Sequence, residues 1–271
     1  MYRRPVVKKD KKFVIGLVIT SLVLLMTLIG IIKTPYDPCA MDGSMKFAHI
    51  SFKHIFGCDQ FGRDIFSRVL VGVRETMFIS ACVVFIGVFF GTILGTVTGY
   101  FGGWLDEILM RLNDAILAFP SVLLALVVIG LYGSGRYQLI AALGIAFIPS
   151  FARIVRGEVL KIRNLDYIQA VRLYGASHFR IIVVHILPNL KTVLLSSIII
   201  GFNNAVLAEA GMSYLGMGVS PPAPSLGRML SEAQAYIFSN PLNAIFPGIV
   251  IVIMILGFSL LGDTLGKRND A

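Results

Sequence analysis

The chain is short of charge. Lys, Arg, Asp and Glu make up 14% of its 271 residues, against 56% hydrophobic. A soluble globular domain carries about 25% charged residues, so water is a poor solvent for so apolar a surface. Cysteine is scarce as well. Cys39, Cys58 and Cys82 contain no C-x-x-C pair, and three thiols make neither a disulfide framework nor a redox motif. A phosphate-cradling G-x-x-x-x-G-K-[ST] loop is missing. The nearest string, running from Gly262 to Arg268, is one residue short and lacks the hydroxyl that would hold magnesium. Nucleotide is therefore expected to bind elsewhere. G-x-S-x-G, H-E-x-x-H and paired-carboxylate patterns do not occur, so no catalytic site of its own is expected. The net charge of +9 flanks apolar runs instead of forming a basic face studded with aromatics, which excludes nucleic acid as a natural partner.

What is there is a series of uncharged runs. Residues 13–32 carry no charge, and about twenty residues at 1.5 Å each span the roughly 30 Å of a hydrocarbon core. Further runs at 76–105, 115–135, 137–152, 192–208 and 242–262 predict an all-α, polytopic membrane helix bundle of six transmembrane helices, in contact with lipid. The fourth run is the shortest. It spans only if its helix tilts or continues past Arg153. Residues 1–12 hold six basic residues, and the apolar run after them is too long for a signal-peptide core, so an uncleaved anchor is expected. With both termini in the cytoplasm, the cytoplasmic segments hold 16 of the 24 lysines and arginines, as the positive-inside rule requires. No run has an acid or base in its middle, whereas ion-driven carriers need intramembrane charged or unwound sites. The energy source is thus expected outside this chain.

Gly87, Gly91, Gly95 and Gly99 fall four apart on one helical face. Such a face lets backbones approach closely, within this bundle or against a partner. On the expected cytoplasmic side, the segment from Tyr167 to Ser177 is amphipathic. It is predicted to be helical in two pieces with a break at Gly175, and Pro188 is predicted to start the next membrane helix. A short helix lying across that face makes a handle for another protein.

This segment resembles the cytoplasmic signature loop of ABC-type importer permeases, E-A-A, three residues, Gly, nine residues, I-x-L-P. Gln169-Ala170-Val171, Gly175 and Leu187-Pro188 stand at that spacing, with Gln169 in place of the glutamate and His185 in place of the isoleucine. Residues 57–68, with Gly57, Asp59, Gly62, Arg63, Asp64, Ser67 and Arg68, are similar to the G-T-D-x-x-G-R-D-x-x-S-R stretch of dipeptide, oligopeptide and nickel permeases, with Cys58 in place of threonine. Glu209-Ala210, Ser213-Tyr214-Leu215-Gly216, Pro221-Pro222 and Pro224-Ser225-Leu226-Gly227 resemble a later block of the same group, with Leu226 in place of tryptophan.

The resemblance implies a type I ABC importer permease. In that layout residues 1–35 form a basic N-terminus and peripheral first span, 36–75 an extracytoplasmic segment, and 76–271 a five-helix core holding the loop 153–190. The implied partners are a second, homologous permease, two ATPase subunits carrying ATP and magnesium, and an extracytoplasmic solute-binding protein, all at a bacterial or archaeal cytoplasmic membrane. The implied coupling loop contains Gln169, Ala170, Arg172, Gly175, Ala176, Ser177, Leu187 and Pro188. Candidate pathway or outer-gate residues are Asp59, Arg63, Asp64, Glu209 and Ser213, each with a plainer structural reading: Asp59 as a helix cap, Asp64 and Arg68 as a helical ion pair. The implied cargo is nickel or a short peptide, and the run from Ala210 to Ser213 tilts toward nickel. Imidazole and thiolate suit nickel, yet His49, His54, Cys39 and Cys58 are too loosely spaced to predict dedicated ligation. A self-sufficient secondary carrier is the competing class.

Overall fold

A computed structural model describes residues 11–269, with side chains as far as residue 262. Residues 1–10 and 270–271, and the side chains of the basic C-terminal flank, lie outside the described residues. Among the described residues the regular secondary structure is all helical apart from one isolated bridge between Cys58 and Asp64. The principal helices are α1 (Lys11–Ile32), α2 (Ile65–Phe101), α3 (Gly103–Leu117), α4 (Ser121–Tyr132), α5 (Arg136–Ile162), α6 (Asp166–Leu173), the single turn α7 (His178–Arg180), α8 (Lys191–Tyr214), α9 (Leu226–Ala233) and α10 (Leu242–Asn269).

Five helical stretches are long and apolar enough to cross a membrane: α1, α2, α5, the continuous run His178–Tyr214 and α10. The pair α3 and α4, bent by 86°, brings the number to six if its two halves form one span. Their outward faces carry Phe85, Phe89, Ile93, Leu123 and Val127, a surface stable only in lipid.

The six apolar runs are all present, with different edges. α2 begins at Ile65 and not near residue 76, because its early charges are paired instead of solvated. Arg68 reaches Glu232 and Arg74 reaches Glu75. α5, which holds the fourth run, continues to Ile162, past Arg153 and Arg156, which pair with Asp114 and Asp106 on α3. The third run is broken. Phe119 precedes Pro120, and a residue before proline disfavours the helical region; α3 and α4 meet there at 86°. Pro188 does not start a helix. The run already begins at His178 and passes through Pro188 by way of a π-helical turn, Ile181–Ile186, and a 3-10 turn, Leu187–Leu190. Proline lacks an N–H and crowds the carbonyl four residues back, and a locally wider turn absorbs both defects.

The chain forms two compact units. One is built on the chain up to Met77, Ser213–Leu215 and the chain from Pro221 on; the other on Phe78–Met212 and Gly216–Ser220. In the first, α1 packs on α10 through small residues. A Cβ at Gly16 would lie 2.9 Å from Leu260 Cβ, and one at Gly257 would lie 2.7 Å from Ile19 Cγ2. The rest of α1 is largely exposed.

In the second unit the glycine face of α2 meets α5. A Cβ at Gly91 would stand 2.6 Å from Phe151 Cβ, one at Gly99 would stand 2.9 Å from Val159 Cβ, and one at Gly95 would collide with the Ala152 carbonyl oxygen. The stripe thus packs inside the chain, against its own α5. Gly157, also on α5, has nothing within 4 Å of its would-be Cβ. Gly95→Ala should therefore cost about 1–3 kcal/mol by overpacking, read as a lower melting temperature of the detergent-solubilised protein. Gly157→Ala should be neutral or stabilising by up to about 1 kcal/mol. Equal melting temperatures for the two variants would refute the close approach.

Candidate functional site

The signature segment of the sequence lies wholly in the second unit. Its base is apolar. Ile168 on α6 is fully buried among Tyr100, Val155, Val159, Ile162, Ile181, Ile186 and Leu190, so one side chain wedges the short helix onto the ends of α2 and α5. Val171, Ala176 and Leu187 pack against the same cluster. The structure therefore brings the two halves of the spaced motif together. Tyr167 and Asn189 join them a second time, with the Asn189 amide donating to the Tyr167 hydroxyl at 3.0 Å.

The predicted break at Gly175 is a helix stop of defined geometry. Gly175 N–H donates to the Arg172 carbonyl at 3.0 Å, and Ala176 N–H donates to the Val171 carbonyl at 3.3 Å. These two bonds make a Schellman cap. Gly175 has φ +80°, yet a Cβ there would meet nothing within 4 Å. The position needs glycine for its backbone and not for space. A residue with a Cβ costs roughly 1–2 kcal/mol in that conformation. Ser177 then caps the next helix, its hydroxyl accepting from Arg180 N–H at 3.3 Å.

Gln169, at the glutamate position of the motif, donates through its amide to the Arg163 carbonyl at 3.2 Å. An ionised glutamate has no donor and could not make this bond. Ala170 and Arg172 face solvent. Leu173, Tyr174 and Phe179 were not singled out by the sequence, and they are the exposed residues of most interest. Leu173 is 89% and Tyr174 92% exposed at the tip of the turn, and Phe179 is 76% exposed beyond it. Their signal was available only once the buried side of α6 was known.

The candidates in residues 57–68 belong to the first unit, where they are buried and tied to one another. Asp59 accepts from the Phe61 and Arg63 N–H groups and from Arg63 Nε, the last at 2.6 Å. Arg63 and Arg68 both reach Glu232, at 2.7 and 3.2 Å, and Arg228 reaches it at 2.8 Å. Burial alone would push the Glu232 carboxyl up, but Arg228, Arg68 and Arg63 together hold it below the ordinary carboxylate value. Glu232 is the member that sequence reading missed; its only trace there is the i, i+4 spacing from Arg228.

Two expectations are corrected. The cap of α2 is Asp64, which accepts from Ser67 N–H at 2.7 Å, and not Asp59. Asp64 also pairs with His54 at 2.9 Å instead of with Arg68, because Arg68 is drawn to Glu232 and the Pro38 carbonyl. Of the loosely spaced histidines and cysteines, His54 is thus committed to Asp64 and stacks on Tyr36. Cys58 is buried, and burial beside Asp64, Asp59 and Asp42 pushes its thiol up to about 11. Glu209 and Ser213 lie four apart on one face of α8, near its C-terminal end, fully buried.

The second unit also contains a cavity of about 610 Å³ where the α3–α4 break meets α5 and α8. Its wall is apolar, from Phe119, Phe147 and Phe151, with Ser121, Ser150 and Asn204 as scattered polar points.

Residues 87–271 match the family model described as binding-protein-dependent transport system inner membrane component. The dipeptide transport system permease protein DppC of Alkalihalophilus pseudofirmus is 36% identical over 97% of this chain and 86% of its own length. The glutathione transport system permease protein GsiD of Escherichia coli is 42% identical over 81% of this chain and 73% of its own. Among solved structures, the inward-facing MetNI methionine ABC transporter superposes with a TM-score of 0.62 at 22% identity, covering 74% of this chain and 95% of that one. The fold is that of type I ABC importer permeases. This chain is a multi-pass membrane protein belonging to the family of binding-protein-dependent transport system inner membrane components, the permeases of ABC importers.

Proposed function

We propose that this permease moves short peptides inward, forming half of a pore with a second permease and driven by two ATPase subunits that dock on residues 170–177. The observation that carries the docking is the pairing of a buried base with a bare tip. Ile168 fixes α6 from below, while Leu173 and Tyr174 stand almost fully exposed beside a capped turn. Large apolar side chains held rigidly at a helix end are the anchors that a partner's pocket takes up. ATP and magnesium sit on the ATPase subunits, and this chain contributes no chemistry to hydrolysis. An extracytoplasmic binding protein delivers the cargo.

The cargo reading rests on the relatives, named for dipeptide and glutathione transport, and on the cavity. Apolar walls with scattered hydroxyl and amide groups suit passage of varied short peptides without a deep binding well. Nickel, toward which residues 210–213 tilt, gains no specific support: among the described residues no group of three or more His, Cys, Asp or Glu is placed to hold a metal ion. Family membership sets aside the self-sufficient carrier.

Three outcomes test this reading. Gly175→Asn, which tolerates a positive φ, should keep most transport, whereas Gly175→Val should lose at least tenfold. If size rather than backbone mattered, Gly175→Ala would keep more transport than Gly175→Asn. Ser177→Cys, in a background with Cys39 and Cys82 replaced by serine, should react with an impermeant maleimide only from the cytoplasmic side; labelling from outside would reverse the topology and end the docking reading. In a deletion strain carrying the operon on a plasmid, uptake of labelled dialanine or glutathione should depend on this chain. Dependence of ⁶³Ni²⁺ uptake alone would overturn the peptide assignment.

A further inference from the structure

Along the chain, the route from the docking segment into the membrane helices is the helix that follows it. The contacts point to another. The C-terminal end of α2 is gripped by the segment at three places. Arg163, just after α5, donates through Nη1 to the Gly99 and Tyr100 carbonyls at 2.7 and 3.3 Å. The Arg172 guanidinium, in the last turn of α6, lies 5.6 Å from the centroid of the Tyr100 ring, within the reach of a cation–π contact. His178, first residue of α7, is hydrogen-bonded through Nδ1 to the Tyr100 hydroxyl at 2.8 Å. One side chain, itself only 4% exposed, therefore touches the residues on both sides of the Gly175 turn.

Geometry gives the grip its direction. Arg172 and His178 bracket the exposed tip at Leu173 and Tyr174, so a push on the tip loads Tyr100 from both arms. Tyr100 follows Gly99, the last residue of the glycine face, whose would-be Cβ lies 2.9 Å from Val159 on α5. A seam that close leaves no slack between α2 and α5. The run through Pro188, in contrast, is a π turn followed by a 3-10 turn, a softer connection than a regular helix.

We infer that Tyr100 is a positioning residue of the transport cycle, carrying displacement of the docking segment into the α2–α5 pair through its hydroxyl on His178 and its ring under Arg172. This rests on the docking reading above and adds the path taken by the movement. Tyr100 touches neither cargo nor nucleotide in this role. It acts on the stoichiometry of the cycle: without the link, ATP turns over and the helices do not follow.

The test uses the complete transporter in proteoliposomes, with labelled dialanine or glutathione inside-directed as the probe and ATP hydrolysis measured in parallel. Tyr100→Phe keeps the ring and its packing but removes the hydroxyl; His178→Ala removes the other end. Each should leave assembly intact and raise the ATP hydrolysed per peptide moved by about three- to tenfold, and the double variant should be no worse than either alone. His178→Asn, which can donate or accept, should restore the ratio to within twofold of the parent. A parental ratio in Tyr100→Phe, additive effects in the double variant, or failure of Tyr100→Phe to assemble would overturn the inference, the last because the contact would then be holding the fold. Docking is scored separately. Leu173→Asp and Tyr174→Asp should release the ATPase, and its retention by both would sink the docking reading whichever way the ratio moved.

Discussion

The approach of α2 to α5 at backbone distance is the constraint on which the second unit depends. Lipid offers no hydrophobic drive for two apolar helices to associate, so contact must come from close packing. Four glycines in register provide it, and each takes a side chain or a carbonyl of α5 into the space where its own side chain would be. Phe151 is held between two of these glycines and Gly201 of α8, so the same seam positions a third helix. The apolar cluster beneath the docking segment includes Tyr100 from one partner of the seam and Val155, Val159 and Ile162 from the other. Loosen the seam, and the floor of the docking segment loses its alignment.

Charges follow a complementary logic. The apolar stretches are long, but the helices do not stop where the charges begin. Arg153 and Arg156 continue α5 because α3 carries Asp114 and Asp106 at matching heights. Arg63 and Arg68 are buried because Glu232 and Asp59 neutralise most of their charge. A buried arginine without such a partner would be strongly destabilising. At Arg68, Arg153 and Arg156 the charge marks a tertiary contact and not the end of the helix.

That explains how much of the fold could be read directly. The six apolar runs were legible because lipid imposes length and composition alone. Their ends were not, since Ile65 lies beyond Arg68, and Ile162 beyond Arg153 and Arg156, whose partners are distant in sequence. The break at Gly175 was legible from glycine's place in the motif; Leu173 and Tyr174 were not, because nothing local says which face of α6 Ile168 would bury. Asp64 as cap of α2 was hidden by the equally plausible Asp59 five residues earlier. Glu232 was hidden by distance, being more than 160 residues from Arg63 and Arg68.

The π turn ahead of Pro188 has a consequence for helical phase. Such a turn holds one residue more than an α-helical turn of the same height, and each residue of an α-helix advances the side-chain direction by about 100°. The turn therefore takes up its extra residue without rotating the face that α8 presents. Removing one residue within Ile181–Ile186 restores a regular turn and leaves Glu209 and Ser213 pointing as they do, whereas removing one from the regular helix between Lys191 and Glu209 swings both about a quarter of the way around the axis. Evolutionary changes of length should thus collect in the π turn, around its exposed Val183 and Val184, and be absent from the first turns of α8.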